Sequence, residues 1–109
     1  MQEKTLQNYF IRWLRKTHPN VFYYKTNDRF VAGLPDVVLC VNGRFLGIEF
    51  KSSRGRLTRL QALISVNIMG SGGEYLVTSS FDEACSKVES LLKLNFNINR
   101  TSHESAKIS

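Results

Sequence analysis

The chain is poor in the residues on which most metal and redox chemistries depend. It has two cysteines, Cys40 and Cys85, and two histidines, His18 and His103, with no CxxC pair and no Cys/His spacing that holds zinc. Zinc-finger and dithiol-redox functions are therefore excluded. Both cysteines fall in apolar or amphipathic runs and are expected as small buried side chains. His18 precedes Pro19 at an expected helix end and His103 lies in a polar stretch, so neither has neighbours for a catalytic triad. No run of about 20 apolar residues is present to span a bilayer, and Met1-Gln2-Glu3-Lys4 lacks the apolar segment of a secretory signal. The expectation is a soluble, intracellular protein of the cytoplasm of a cell or host cell, with no membrane partner. Gly-rich phosphate loops, Ser/His/Asp sets and internal repeats are also missing.

What is present is a globular composition of one-domain length, with 109 residues of which 42% are hydrophobic. The net charge of +6 and pI near 9.6 favour a polyanionic partner, although excess charge equally serves solubility. Its placement says more than its total. Arg54, Arg56 and Arg59 cluster just after Lys51, whereas Asp82, Glu83 and Glu89 lie together near the end of the patterned region.

From Glu3 to about Lys16, Leu6, Tyr9, Phe10, Trp13 and Leu14 recur at helical spacing, and Pro19 ends the run. Val21-Phe22-Tyr23-Tyr24 reads as a strand, followed by a polar loop through Gly33-Leu34-Pro35. The aromatics Phe10, Trp13, Phe22, Tyr23 and Tyr24 are expected to pack in the core rather than stack on bases. Two further strand-like runs, Asp36 to Val41 and Arg44 to Lys51, flank Asn42-Gly43, the strongest short hairpin signal. Thr58-Arg59-Leu60-Gln61 has capping-box spacing before a helix carrying Leu60, Leu63, Ile64 and Ile68 and ending at Gly70. Glu74 to Thr78 is a short strand. Ser80-Phe81-Asp82-Glu83 offers a second capping box before a helix with Ala84, Val88, Leu91 and Leu92. Beyond Leu94 the composition turns to Asn and Ser, so residues 1–94 are expected as the folded domain and 95–109 as a polar, flexible tail.

With Asn42 and Gly43 as central turn residues, counting back along the hairpin sets Asp36 opposite Glu49. Opposed residues project from one face with Cβ atoms about 4.5 to 5.5 Å apart. Lys51 shares that face because side chains alternate with period two. Two opposed carboxylates repel, and a hard divalent cation with oxygen ligands, Mg²⁺ or Mn²⁺, is one way to relieve this. The nearby lysine ammonium can hold an attacking water or stabilise charge developing on a phosphate. Ordinary exposed carboxylates with Lys51 as an edge-strand charge are the plainer alternative. The arginines beside this cluster, with Lys25 and Arg29 in the preceding loop, either solvate the loops or contact the phosphate backbone of a polyanionic partner, and their position beside a phosphate site favours the second.

Gly33-Leu34-Pro35-Asp36, a hairpin, and Ile48-Glu49-Phe50-Lys51 together resemble the PD-(D/E)xK nuclease superfamily. The chain more closely resembles VRR-NUC domains, which add an early helix with Glu and Gln four apart, here Glu3 and Gln7, and a Gly-x-Leu-Thr-x-x-Gln, here Gly55 to Gln61. The resemblance runs from Glu3 to about Leu92. It implies an α/β, restriction-endonuclease-like αβββαβ core, a mixed sheet of about four strands flanked by helices, plus a C-terminal helix. It also implies that Asp36 and Glu49 ligate the metal with the Phe50 backbone carbonyl, that Lys51 orients or activates water, that Glu3 contacts the metal shell and that Gln61 lines the site. The implied activity is metal-dependent hydrolysis of DNA phosphodiesters, giving 5′-phosphate and 3′-hydroxyl ends. Small stand-alone members resemble Holliday-junction resolvases, so branched DNA and a homodimer are expected. A non-catalytic DNA-binding module and a monomeric nickase or exonuclease are the alternatives.

Overall fold

The computed structural model describes residues 1–26 and 31–94. The elements run α1 (Glu3–Thr17), β1 (Phe22–Lys25), β2 (Val37–Val41), β3 (Arg44–Phe50), α2 (Arg59–Gly70), β4 (Glu74–Thr78) and α3 (Phe81–Lys93). Among the described residues no helix is long and apolar enough to cross a membrane. Arg29 and the expected tail, residues 95–109, lie outside the described residues.

The hairpin forms at the expected place. Asn42 and Gly43 take φ of 54° and 80°, as a type I′ turn requires, and Val41 pairs with Arg44. The Asn42 amide also donates to the carbonyls of Leu91 at 3.2 Å and Leu94 at 2.9 Å. The turn thereby caps the Leu94 carbonyl and adds a second donor to the Leu91 carbonyl, which already accepts the Leu94 N–H at 3.3 Å. β1, β2 and β3 are antiparallel, and α2 carries the chain across so that β4 joins β3 in parallel, giving a mixed sheet in the order β1-β2-β3-β4.

α1 and α3 cover one sheet face. Leu6, Phe10 and Leu14 of α1 and Ala84, Val88 and Leu91 of α3 bury against Val37, Leu39 and Val41 of β2 and Leu46, Ile48 and Phe50 of β3. α1 is capped at its C-terminus by His18, whose Nε2 meets Glu89 Oε1 of α3 at 2.7 Å and whose ring sits edge-on to Trp13. α2 approaches the opposite face, where Gly47 makes room. A Cβ at Gly47 would lie 2.9 Å from Pro35 Cγ and 3.5 Å from Ile68 Cδ1.

Two expectations are corrected. Cys40 is exposed, not buried, and Cys85 is half-buried. Phe22 and Tyr24 are exposed, whereas Phe10 is buried and Trp13 and Tyr23 pack against the core. α2 turns Leu60 and Leu63 outward. The cause is common to the sheet residues: strand alternation directs Phe22, Tyr24 and Cys40 away from α1 and α3.

Candidate active site

Asp36 is held from both sides of its peptide. Gly33 has φ of 89°, and a Cβ there would fall 2.9 Å from the Leu60 carbonyl carbon. Only glycine lets this loop press onto the first turn of α2. Pro35 is buried, and the Asp36 carbonyl accepts bonds from Thr26 N–H at 2.9 Å and Thr26 Oγ1 at 3.1 Å. The β2–β3 ladder stops at Val37–Ile48, one pair short of the expected Asp36–Glu49 pair, although the register is the expected one. Asp36 Oδ2 instead accepts the Phe50 N–H at 2.8 Å. This still carries its carboxylate beside Glu49.

Glu49 is 3% exposed. Its Oε2 accepts Gln61 Nε2 at 3.0 Å and lies 3.5 Å from Lys51 Nζ. Its Oε1 is buried with no hydrogen-bond partner. Burial, and next the negative charge of Asp36, push the Glu49 carboxyl up from 4.5 to about 7. Burial also raises Asp36 above its ordinary value, against the Phe50 N–H and the Lys51 ammonium, which lower it. The Asp36 charge thus disfavours ionisation of Glu49, whereas a hydrogen bond with Glu49 favours ionised Asp36.

Gln61 works at both ends of its amide. Its Oε1 accepts Thr58 N–H at 2.8 Å and its own N–H donates to Thr58 Oγ1 at 3.2 Å, which completes the expected capping box. The remaining Nε2 is the donor to Glu49. Helix initiation and placement of the site amide are therefore one structure. The second expected box forms only by half: Ser80 Oγ accepts Glu83 N–H at 3.1 Å, while Ser80 N–H donates to Thr78 Oγ1 at 2.9 Å. Lys51 is set by its main-chain N–H, which donates to Thr78 O at 2.9 Å, and its side chain is only 13% exposed.

Glu3, on the first turn of α1, accepts Ser52 N–H at 3.1 Å through Oε2. Its charge reaches both site carboxylates and raises them. Among the described residues no three His, Cys, Asp or Glu side chains gather closely enough to hold a metal on their own, so Glu3 stands outside the pair. Arg54, Arg56 and Arg59 are exposed in the loop after Lys51 and at the start of α2. Lys25 Nζ donates to Asn8 Oδ1 of α1 at 3.4 Å.

Tyr75 escaped the sequence reading. It pairs with Gly47 in the parallel β3–β4 register and so shares the sheet face of Glu49. Its hydroxyl is buried without a partner and is pushed up to about 12, first by burial and then by the charges of Glu49 and Asp36. Alternation within Glu74–Thr78 could have paired Tyr75 with Val77, but no local signal sets the register of a parallel strand.

No family model and no curated protein sequence matches the chain. A solved structure described as "VRR_NUC domain" is similar to it with a TM-score of 0.66 and 18% sequence identity, over 80% of this chain and 94% of that one. The chain has the α/β fold of a VRR_NUC domain, the restriction-endonuclease-like architecture implied by its ordered motifs.

Proposed function

We propose that the chain is a divalent-metal-dependent DNA endonuclease with Asp36, Glu49 and Lys51 at its centre. The observation that carries this reading is Glu49, a buried carboxyl beside a second carboxylate with one oxygen lacking any partner. Burying like charges is unfavourable unless they are compensated. A hard divalent cation on oxygen ligands compensates both charges and takes the free oxygen. Asp36, Glu49 and the Phe50 backbone carbonyl would hold Mg²⁺ or Mn²⁺, which supplies Lewis-acid stabilisation of charge on a phosphate.

The chain's own residues account for the remaining work. The Lys51 ammonium, restrained by Glu49 at 3.5 Å, holds the attacking water or the charge growing on the phosphate oxygens. Gln61 keeps Glu49 in one orientation from the stable first turn of α2. Glu3 ties α1 to the chain just after Lys51, and its charge adds to the field of the site. Arg54, Arg56, Arg59 and Lys25, with Arg29, contact the DNA backbone. In-line hydrolysis leaves 5′-phosphate and 3′-hydroxyl ends.

Branched DNA such as a Holliday junction, cut by a homodimer, is the proposed substrate and assembly. A domain this small gains DNA surface by pairing. The exposed side chains of Leu60, Leu63, Val66 and Met69 on α2 support a second copy as the partner. The test is incubation of labelled four-way junction and matched linear duplex with Mg²⁺, Mn²⁺ or EDTA, alongside sizing in solution. Metal-dependent symmetric cuts confined to the junction by a dimer are expected. Equal cutting of both substrates removes junction selectivity, a monomer removes the assembly, and no cleavage with any metal removes the nuclease.

A further inference from the structure

We infer that the outward face of α1 binds an unpaired DNA strand, with phosphates on Arg12, Arg15 and Lys16 and a base in the pocket of Tyr9, Trp13 and Phe81. The inference deepens the nuclease reading and rests on it for the identity of the strand. A groove of about 510 Å³ runs along α1 past Asn8, Ile11, Arg12, Arg15 and Lys16. On its other flank lies a pocket of about 400 Å³ formed by Met1, Tyr9, Trp13 and Phe81. Arg12 and Lys16 border both. Phosphate-binding charge and an aromatic pocket thus alternate across one helix, the combination by which proteins hold single strands.

Among the described residues, Arg12, Arg15 and Lys16 are in no ion pair. Arg15 and Lys16 lie in the last turn of α1, where cations also favour the helix dipole. That explanation does not extend to Arg12, which lies a turn earlier with its guanidinium 5.9 Å from the centre of the Tyr9 ring. Nor does it account for the pocket. Trp13 and Phe81 stand edge to face with centres 6.5 Å apart, and Tyr9 is exposed. A base in a duplex is already stacked and cannot enter such a pocket, whereas an unpaired base can.

The helix that carries the groove is tied to the site's edge at two points. Lys25 reaches Asn8 at the groove, and the next residue, Thr26, donates to the Asp36 carbonyl. Glu3, at the other end of the same helix, touches Ser52 just past Lys51. From Glu3 to Lys16 the helix rises about 20 Å at about 1.5 Å per residue. That length matches roughly six nucleotides of a stacked strand at about 3.4 Å each.

Trp13 is the sole tryptophan, so its emission reports on the pocket directly. The test titrates the full chain in EDTA with short oligothymidine, an abasic oligonucleotide of equal length, blunt duplex and polyglutamate. Arg12→Gln/Arg15→Gln/Lys16→Gln and Tyr9→Ala, all surface changes, are measured beside wild type. Oligothymidine is expected to change Trp13 emission and the abasic strand to bind without doing so. Tyr9→Ala is expected to weaken oligothymidine about tenfold, in line with loss of one stacked base. The triple variant is expected to lower the log–log salt slope by about 2, since each single-strand phosphate contact contributes about 0.7. Unchanged emission with oligothymidine bound, an unchanged slope in the triple variant, or an equal response to polyglutamate overturns the inference. Because binding is read in EDTA, it is separable from cleavage. A wild type that cuts DNA but shows neither signal loses this strand site alone, and one that shows both signals but cuts nothing loses the nuclease alone.

Discussion

Glu49→Gln isolates the electrostatic cost of the site. Folding moves the Glu49 carboxyl from 4.5 to about 7. Each pKa unit is about 1.4 kcal/mol, so ionised Glu49 disfavours the metal-free fold by about 3 kcal/mol. The folded chain holds this proton more tightly than the unfolded chain. The associated stability is therefore complete below pH 4.5 and lost as the pH rises through about 7. Glutamine removes the charge and its Oε1 can still accept from Gln61, which now sits 3.0 Å from Glu49. In EDTA at pH 8 the variant should be the more stable protein by up to about 3 kcal/mol, a rise in melting temperature of about 12 °C for a chain of this length. Its advantage should fade toward pH 4.5. Divalent metal should act in the opposite sense, adding about 3 kcal/mol to wild type at 100 times its dissociation constant and little to the variant. Thermal unfolding by circular dichroism from pH 4 to 9, with EDTA or Mn²⁺, reads all of this. Equal melting temperatures in EDTA at pH 8, with the same pH slope, would refute the reasoning.

Gly47→Ala should cost about 1 to 3 kcal/mol in urea unfolding, because the new Cβ meets the Pro35 ring at 2.9 Å. It should also slow cleavage, since Pro35 cannot shift without moving Asp36. Wild-type stability would show that the loop yields freely. Tyr75→Phe removes a buried hydroxyl that has no partner, so stability should stay level or rise by up to about 1 kcal/mol. A clear loss in thermal unfolding would show that this hydroxyl is bonded in solution. Arg54→Ala/Arg56→Ala/Arg59→Ala should weaken duplex binding and reduce the log–log salt slope by about 2.7, at about 0.9 per phosphate contact. A wild-type slope by fluorescence anisotropy would place the DNA elsewhere.

The parts of the fold legible in the sequence are those fixed by local chemistry. Asn42-Gly43 admits two consecutive positive φ values, which set the turn, and the turn set the β2–β3 register. Thr58 and Gln61 marked the start of α2 by their spacing, and the same spacing put Gln61 beside Glu49. Alternation groups Asp36, Glu49 and Lys51, yet it does not reveal the Asp36 Oδ2 bond to Phe50 N–H, because the ladder ends one residue earlier than the pattern suggests. Non-local coverage was illegible. Whether Cys40, Phe22 or Tyr24 is buried depends on which sheet face the helices cover, and the residues themselves are equally apolar in either case. Tyr75 depends on the parallel register of β4, which is set by packing across the α2 crossover. The α1 cations carried no motif. They became a surface only when β1 brought Lys25 to Asn8 and α3 brought Phe81 to Trp13.

Manganese binding and cleavage, measured on the same samples of wild type, Asp36→Asn and Lys51→Ala, test the central claim most directly. Free Mn²⁺ is read by its paramagnetic resonance signal and cleavage by end-labelled branched DNA. The account predicts that wild type and Lys51→Ala take up the ion, that Asp36→Asn binds it far more weakly, and that only wild type cuts. Wild-type uptake by Asp36→Asn, or wild-type cleavage by Lys51→Ala, would contradict it.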